Sequence, residues 1–430
     1  MNKINPSSVS ESGFFYKNPA LKIKEFQAFL TTRFGLIFAL NMQSTILYYW
    51  VYSLTDSKLS LGFVGLAEVI PAIGCSLFAG HFVDQSEKRK MIVRCISGYL
   101  ITAICLFALA LPFVQKSLSV SVLVGLIYFF VFLGGILRSF FGPSMFSLFG
   151  LVVPREHYPN ATSWSSMSWQ MGSVLGPLAA GVFIASLGIT AGLLAVIVFV
   201  LLIYIPIFKI TVKPILKPEK EPVLKSIKEG LKFVMNTPTL LAAQCLDMFS
   251  VFFGSAVALL PVYQKEILHV NEIGFGILRS APGIGALMTL GLLAFIPLKT
   301  NPGKKLFLCV TGFALSIIVF GISTNFYLSF AMLLLSGMLD AVSVVIRSTI
   351  LQLVTPDAMR GRVSAVNTIF ISSSNEFGDF ESGVMANWLG TVRAVVVGGC
   401  LTLGVVAFTF VKVPQLRQFT FDNKKEEELK

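Results

Sequence analysis

Charged residues, histidines and paired cysteines are all scarce in this chain. Asp, Glu, Lys and Arg make up 13% of its 430 residues, whereas a soluble globular domain has roughly 25%. The three histidines lie far apart and the six cysteines show no Cys-x-x-Cys spacing, which argues against a metal site, a disulfide framework or a membrane-embedded enzyme. The sequence has no Gly-x-x-x-x-Gly-Lys-Ser/Thr loop, so we expect no ATP-driven pump.

Long apolar runs dominate what is present. Hydrophobic residues make up 55% of the chain and the mean hydropathy is +0.78. A membrane-spanning helix needs about 20 mostly apolar residues. The sequence therefore predicts an all-α membrane protein with twelve transmembrane helices. These spans, numbered 1 to 12 in chain order, are 26–53, 60–82, 91–113, 120–149, 159–186, 190–209, 239–264, 273–297, 305–323, 326–350, 363–388 and 394–412.

A lysine- and proline-rich stretch in the middle of the chain divides the spans into two sets of six. Within it, residues 224–235 favour a short amphipathic helix at the membrane surface. The predicted organisation is an N-terminal tail at 1–25, an N-terminal half at 26–210, a linker at 211–237, a C-terminal half at 238–413 and a C-terminal tail at 414–430.

The distribution of basic residues predicts the orientation of the chain. With both termini placed in the cytoplasm, 26 of the 34 Lys and Arg residues fall on the cytoplasmic side, in the tails or in the turns that follow even-numbered spans. Four fall on the opposite side of the membrane (Lys58, Lys116, Lys265 and Arg393), and the other four lie within spans. This bias is typical of membrane topology and explains the net charge of +12 without nucleic-acid binding. We expect a monomer in the lipid bilayer of a bacterial cytoplasmic membrane, with both termini cytoplasmic.

The second half of the chain repeats the first. Pro154 aligns with Pro356 at an offset of 202 residues, and the same offset aligns Gly176 with Gly378 and Gly181 with Gly383. Because each half has an even number of spans, the two halves are predicted to be parallel repeats about an axis along the membrane normal. Polar groups at mid-membrane depth must face protein or water, so we expect a polar cavity at the seam between the halves.

A loop after span 2 resembles the signature loop of the major facilitator superfamily. Gly80, Asp84 and the basic run Lys88, Arg89 and Lys90 match that family's Gly-x-x-x-Asp-Arg-x-Gly-Arg-Arg/Lys pattern, while Gln85 and Glu87 depart from it. The resemblance implies a cytoplasmic latch between the halves. In such a latch, Asp84 would face the positive N-terminus of span 11 and reach Arg360 or Arg362.

Two further elements resemble motifs of the same superfamily. Arg138-x-x-x-Gly142 in span 4 is similar to an element of its proton-coupled members, and Gly172-x-x-x-Gly176-Pro177-x-x-x-Gly181 in span 5 is similar to its antiporter signature. Helix packing by small residues explains the second motif equally well. At the start of span 11 and within it, Pro356-Asp-Ala-Met-Arg360-Gly-Arg362 and Glu376-Phe-Gly378-Asp379-Phe-Glu381-Ser-Gly383 resemble the transmembrane secretion effector branch, as does Arg33-Phe34 in span 1. That branch includes enterobactin exporters and macrolide efflux proteins. The resemblance implies an alternating-access exporter that uses the proton gradient and needs no cofactor.

Three carboxylates in span 11 are the leading candidates for proton coupling. Glu376 and Asp379 share a helix face, whereas Asp379 and Glu381 point about 160° apart. We expect one of the three to bind and release a proton, because burial favours the neutral form of a carboxylate. The alternative is a set of structural ion pairs that holds the helices in register. Asp247 in span 7 is a further candidate acid.

Other polar residues within the spans are weaker candidates. Asp340 and Arg347 lie seven residues apart on one face of span 10, which fits a structural pair or a functional one. Tyr48, Tyr49, Trp50 and Tyr52 are expected to form an aromatic belt at the outer end of span 1. The remaining cavity charges are Arg33, Glu68, Arg138 and Arg279, of which Glu68 and Arg279 would interact only if the seam joins them. Candidate substrate contacts are Asn41, Gln43, Trp164, Trp169, Gln170 and Asn367.

The favoured function is therefore a secondary active exporter of a small amphipathic molecule, such as a drug, a siderophore or another secreted metabolite. A lysophospholipid or other lipid translocator is the alternative within transport, since the phenylalanine-rich spans suit a lipid. A non-transporting membrane receptor or scaffold is the alternative from another class, but it leaves the carboxylates of span 11 without a use.

Overall fold

The protein is built from long helices that cross the molecule in alternating directions. A computed structural model describes residues 19–212, 223–295, 301–356 and 359–420. The long helices are α1 Lys24–Thr55, α2 Lys58–Asp84, α3 Lys88–Leu109, α4 Val120–Val152, α5 Tyr158–Phe208, α6 Val223–Asn236, α7 Pro238–Gly254, α8 Glu272–Phe295, α9 Pro302–Ile322, α10 Phe326–Val354, α11 Arg360–Leu389 and α12 Thr391–Lys412.

These helices follow the predicted spans. Helices α1–α4 correspond to spans 1 to 4, α5 to spans 5 and 6, and α7–α12 to spans 7 to 12, while α6 lies in the linker. Within the described residues, nine helical segments are long and apolar enough to cross a membrane. Helix α5 joins two predicted spans across Gly188, whose φ of 83° turns the chain. The all-α membrane class is confirmed, and the count of twelve spans stays a prediction.

Span 7 is not the single helix that the apolar run predicts. Helix α7 ends at Gly254, Ser255 is extended, and the chain continues through short helical turns from Val257 to Ile267. The break leaves backbone carbonyls without a partner in their own helix. The carbonyl of Ser255 accepts a hydrogen bond from the Ser382 hydroxyl of α11. The break therefore ties span 7 to α11 at the level of the span 11 carboxylates.

Two pairs of helices bring the halves together through glycines. A Cβ on Gly276 of α8 would lie 3.0 Å from the Cα of Gly181 of α5, and one on Gly383 of α11 would lie 2.8 Å from the Cα of Gly62 of α2. Both approaches are too close for a side chain, so glycine is required. The two contacts follow the repeat, because Gly181 and Gly383 are the residues that the offset aligns.

Candidate functional site

Asp379 of α11 joins the two halves through its side chain. The Tyr48 hydroxyl of α1 donates to Oδ2 at 2.7 Å, and the Ser255 hydroxyl of span 7 donates to Oδ1 at 2.6 Å. Asp379 lies ten residues before the end of α11, or about 15 Å along the helix, which places it at mid-membrane depth. Hydrogen bonds from hydroxyls to a carboxylate stabilise its charged form.

A guanidinium lies on the other side of Tyr48. The Arg279 Cζ of α8 is 4.6 Å from the centre of the Tyr48 ring, and its Nη2 donates to the Ser44 hydroxyl at 3.2 Å. The Arg279 Nη1 atom is buried and has no hydrogen-bond partner among the described residues. A buried cation over an aromatic face is a favourable pairing, and the free Nη1 gives this site unused hydrogen-bonding capacity.

Glu68 and Arg138 form an ion pair within the N-terminal half, at 2.5 Å. The Glu68 carboxylate also acts electrostatically on Tyr48, Asp379 and Arg279, whereas Glu68 and Arg279 form no ion pair. We call Tyr48, Glu68, Arg138, Ser255, Arg279 and Asp379 the central set. It holds two carboxylates and two guanidiniums, so its formal charge is balanced.

Further contacts between the halves lie toward one end of the bundle. We call the end that carries the chain termini proximal and the opposite end distal. At the distal end, Lys58 pairs with Glu266 at 3.1 Å and Lys265 with Asp56 at 2.5 Å. Hydrogen bonds between the halves also occur further from the distal end, where the Gln170 amide of α5 donates to the Gly283 carbonyl of α8 at 3.1 Å. The halves are thus held together distally.

The prediction of an aromatic belt at the outer end of span 1 is wrong. Tyr48, Trp50 and Tyr52 are between 1% and 3% exposed, so they do not face lipid. Tyr49 donates to Glu272 at 2.8 Å and Tyr52 donates to Glu266. The rings are thus packed within the protein while the hydroxyls reach carboxylate partners at the distal end, as the hydroxyl of a buried tyrosine usually finds a hydrogen-bond partner. Sequence reasoning missed this role, although adjacent tyrosines within one apolar span were the available signal.

Asp247, Arg347 and Asp340 form a second charged group, entirely within the C-terminal half. Arg347 Nη1 pairs directly with Asp247, and Arg347 Nη2 lies 3.7 Å from Asp340 Oδ1. Arg347 Nε also donates to the Ser343 hydroxyl at 3.2 Å. We call these three charged residues the triad. Asp340 and Arg347, which share a face of α10, are thus in contact, and Asp247 of α7 is the closer partner of Arg347.

The remaining charge candidates do not join the central set. Glu381 is half-buried and makes no ion pair or hydrogen bond with a described residue. Arg33 is half-buried, and its Nε has no hydrogen-bond partner among the described residues. The Glu376 side chain lies outside the described part of the structure.

Of the predicted cytoplasmic latch, the structure describes the basic run Lys88 to Lys90 but not the residues that would meet across the seam. The side-chain environments of Gly80, Asp84, Arg360 and Arg362 lie outside the described part of the structure. Glu87, the residue that departs from the family pattern, accepts hydrogen bonds from the Arg89 and Lys90 amides and so caps α3. Lys88 donates to the Val83 carbonyl, and Arg89 lies over the Phe208 ring at 5.3 Å.

The antiporter-like motif makes helix contacts. A Cβ on Gly172 would lie 3.0 Å from the Phe34 carbonyl, and one on Gly176 would lie 2.7 Å from the Phe38 carbonyl, both on α1. The Pro177 carbonyl approaches Gly276 of the other half. Close packing accounts for these residues in the present conformation.

The candidate substrate contacts have different surroundings. Gln43 is buried, and its Oε1 has no partner among the described residues. Asn41 donates to the Ile37 carbonyl and Gln170 to the Gly283 carbonyl, so both already have partners. Trp164 packs against the core, Trp169 is exposed and Asn367 is half-buried. Gln43 has the clearest unused hydrogen-bonding capacity of the six.

No metal-type cluster of His, Cys, Asp and Glu occurs among the described residues.

Comparison with known proteins gives one consistent answer. The family model of the Major Facilitator Superfamily matches residues 29–378. The enterobactin exporter EntS of Escherichia coli O1:K1 is 27% identical over 92% of this chain and 93% of its own, and that of Shigella flexneri is 28% identical over the same shares. Among solved structures, a D-xylose-proton symporter matches with a TM-score of 0.73 at 14% identity, covering 92% of this chain and 99% of the symporter. A bacterial homologue of the human lysosomal transporter Spinster matches with a TM-score of 0.69, also at 14% identity and with the same coverage.

Proposed function

Because the chain belongs to the Major Facilitator Superfamily, and is therefore a transporter and not an enzyme, we propose that it exports a small amphipathic compound in exchange for protons. Transport proceeds by alternating access, in which the two halves close at the distal and proximal ends in turn. The proton gradient supplies the energy, and no cofactor takes part.

The proposed cargo is a siderophore, a drug or another secreted metabolite. Relatives that match more than nine-tenths of the chain are named enterobactin exporters, and this name makes enterobactin the first compound to test. The unpartnered Arg279 Nη1 and Gln43 Oε1 atoms support a ligand with both acceptor and donor groups. Tyr49 of α1 packs against Phe275 of α8, so separation of the halves would uncover aromatic rings that suit an aromatic cargo.

The observation that carries the proposal is the position of Asp379 between a hydroxyl of each half. When Asp379 is ionised, Tyr48 and Ser255 both donate to it: the Tyr48 bond holds the two halves together, and the Ser255 bond fixes Asp379 within its own half. Protonation removes the charge and weakens both bonds, each of which contributes about 1.5–3 kcal/mol when its acceptor is ionised. A proton on Asp379 therefore favours separation of the halves at this level, which is the bias that coupling requires.

The test uses the purified protein in liposomes, loaded with enterobactin and then given a proton gradient of either sign. We expect enterobactin movement only when protons move in the opposite direction, and we expect Asp379→Asn to abolish the effect of the gradient. Ser382→Ala is a matched control on α11, because it removes a hydrogen bond to the Ser255 carbonyl without changing a titratable group.

Each other outcome identifies a different function. Transport that ignores the gradient would contradict proton exchange and favour a uniporter. Movement of labelled lysophospholipid, with none of enterobactin, would favour the lipid translocator that the 39 phenylalanines also suit. Binding without movement of any compound would contradict transport.

A further inference from the structure

The triad is short of one positive charge. Two carboxylates, Asp247 and Asp340, face a single guanidinium, and Arg347 is the one cation that acts on both carboxylates among the described residues. The remaining formal charge is −1, inside a segment that is predicted to cross the membrane. An uncompensated charge at this depth is expensive, so the site requires one more positive charge.

We propose that the triad binds one proton, held by Asp340, at a site separate from the central set. Asp247 is the closer partner of Arg347, and its side chain is 8% exposed. Asp340 lies 3.7 Å from the guanidinium, and 44% of its side chain is exposed. The proton therefore goes to the carboxylate that has the weaker ion pair and the better access.

A small cavity lies beside Asp340 between α7, α9 and α10. Asp247, Ser250, Cys309, Asp340 and Ser343 contribute its polar lining. Besides Asp247 and Asp340, Cys309 of α9 is the only titratable residue among the described residues of this lining. Thr289 of the neighbouring α8 donates to the Met338 carbonyl of α10 at 3.2 Å. The cavity gives the proton a polar surrounding, and no basic residue contributes to the lining that the structure describes, although Lys305 of α9 acts electrostatically on Cys309.

A proton fits this site better than a metal cation does. Arg347 contacts both carboxylates, so a metal ion between them would be repelled at short range. The Ser343 hydroxyl accepts from Arg347, and the Ser250 hydroxyl donates to the Leu246 carbonyl at 2.5 Å, which leaves few oxygens free to coordinate a metal. A proton needs only one oxygen of Asp340.

The site lies on α7 and α10, two helices that carry no member of the central set. Asp247 is nine residues from the proximal start of α7 and Arg347 seven residues from the proximal end of α10, or about 14 Å and about 10 Å along the helices. The two groups are nevertheless connected, because α7 carries Asp247 and ends at Gly254, directly before Ser255. A change of charge in the triad therefore acts on the helix that holds the Ser255 bond to Asp379.

The experiment counts protonated carboxyl groups in the purified full-length protein, without cargo, from the infrared band of the neutral acid around neutral pH. We expect Asp340→Asn to remove one protonated carboxyl. Asp247→Asn should also remove one, because Asp340 then pairs with Arg347 and ionises. Arg347→Gln should add one, because both aspartates then need a proton. The exposed Asp56→Asn should leave the count unchanged.

These results do not depend on the proposed export function, since Asp379→Asn is measured separately and no transport is involved. A count that is unaffected by Asp340→Asn would overturn the proposal and leave the triad as a structural ion pair with an ionised Asp340. Loss of the Asp340 band on adding sodium chloride, but not choline chloride, would also overturn it, in favour of a sodium site. Variants are compared only where their thermal unfolding remains cooperative, and Asp340→Glu, which keeps the carboxyl, should keep the count.

Discussion

At the scale of single residues, the central set depends on contacts between residues that are distant in the chain. Tyr48 and Asp379 are 331 positions apart. The sequence indicated that Asp379 and Glu381 face opposite sides of span 11, and the structure agrees, since Asp379 meets both halves while Glu381 meets no described polar partner. It did not indicate Tyr48 or Ser255 as partners, because α1 is apolar on most sides and its rotation cannot be read from periodicity.

Tyr48→Phe removes only the hydroxyl oxygen that donates to Asp379, and so tests the hydrogen bond between the halves. A hydrogen bond to an ionised acceptor contributes about 1.5–3 kcal/mol, so its loss should change the balance between conformations by about tenfold or more. We expect slower proton-driven transport with cargo binding largely retained, measured as initial rate and affinity in liposomes.

Tyr128→Phe is the matched control for this substitution. The Tyr128 hydroxyl donates to the Ser60 carbonyl at 2.9 Å within the N-terminal half, so the same atom is removed without affecting the seam. Equal effects of the two substitutions on transport would contradict a special role for Tyr48.

At the scale of helices, the internal repeat predicted more than the individual motifs did. The offset of 202 residues aligns Gly181 with Gly383, and each of these two glycines contacts a glycine of the opposite half. Gly181 contacts Gly276, and Gly383 contacts Gly62. The repeat succeeds because close helix approach restricts these positions to glycine in both halves. The break in span 7 was not predicted, because an apolar run through Gly254 and Ser255 has the composition of a continuous helix.

Gly276→Ala should weaken the contact between α8 and α5. The new Cβ would lie 2.7 Å from the Pro177 carbonyl, and overpacking of this kind costs about 1–3 kcal/mol. We expect a lower midpoint of thermal unfolding and slower disulfide cross-linking of a cysteine pair introduced at Lys58 and Glu266.

Gly291→Ala on the same helix provides the control. Its Cβ would meet no atom within 4 Å, and alanine favours the helix over glycine, so the unfolding midpoint should stay the same or rise. A similar fall of the unfolding midpoint in both variants would contradict the prediction. It would show that any alanine in α8 is destabilising, whether or not it lies against α5.

At the scale of the whole molecule, composition and repeats predicted the class of fold, but not its conformation. The apolar runs gave an all-α membrane protein, and the family resemblance is confirmed by the match over residues 29–378. Which end of the bundle is closed depends on side-chain pairs such as Lys58 with Glu266 and Lys265 with Asp56. Those charges lie in turns, where a sequence pattern predicts orientation in the membrane but no pairing.

The distal ion pairs should contribute modestly to closure. Exposed pairs of this kind are worth about 0.2–1 kcal/mol, so Lys58→Glu should shift the population toward distal opening by about 1.4-fold to fivefold. The measurement is the distance distribution between spin labels on the distal turns of the two halves. Restoring the pair in the reversed sense, with Lys58→Glu and Glu266→Lys together, should recover closure, and failure to recover it would show that the ion pair is not responsible.

The most direct test of the coupling role of Asp379 is the number of protons released or taken up when cargo is added to the purified protein in detergent. We predict that enterobactin, or another cargo that binds, produces a proton signal in the wild type and in Glu376→Gln and Glu381→Gln, and that Asp379→Asn abolishes it while binding persists. A proton signal that survives in Asp379→Asn would contradict the account, as would cargo that binds the wild type without any exchange of protons.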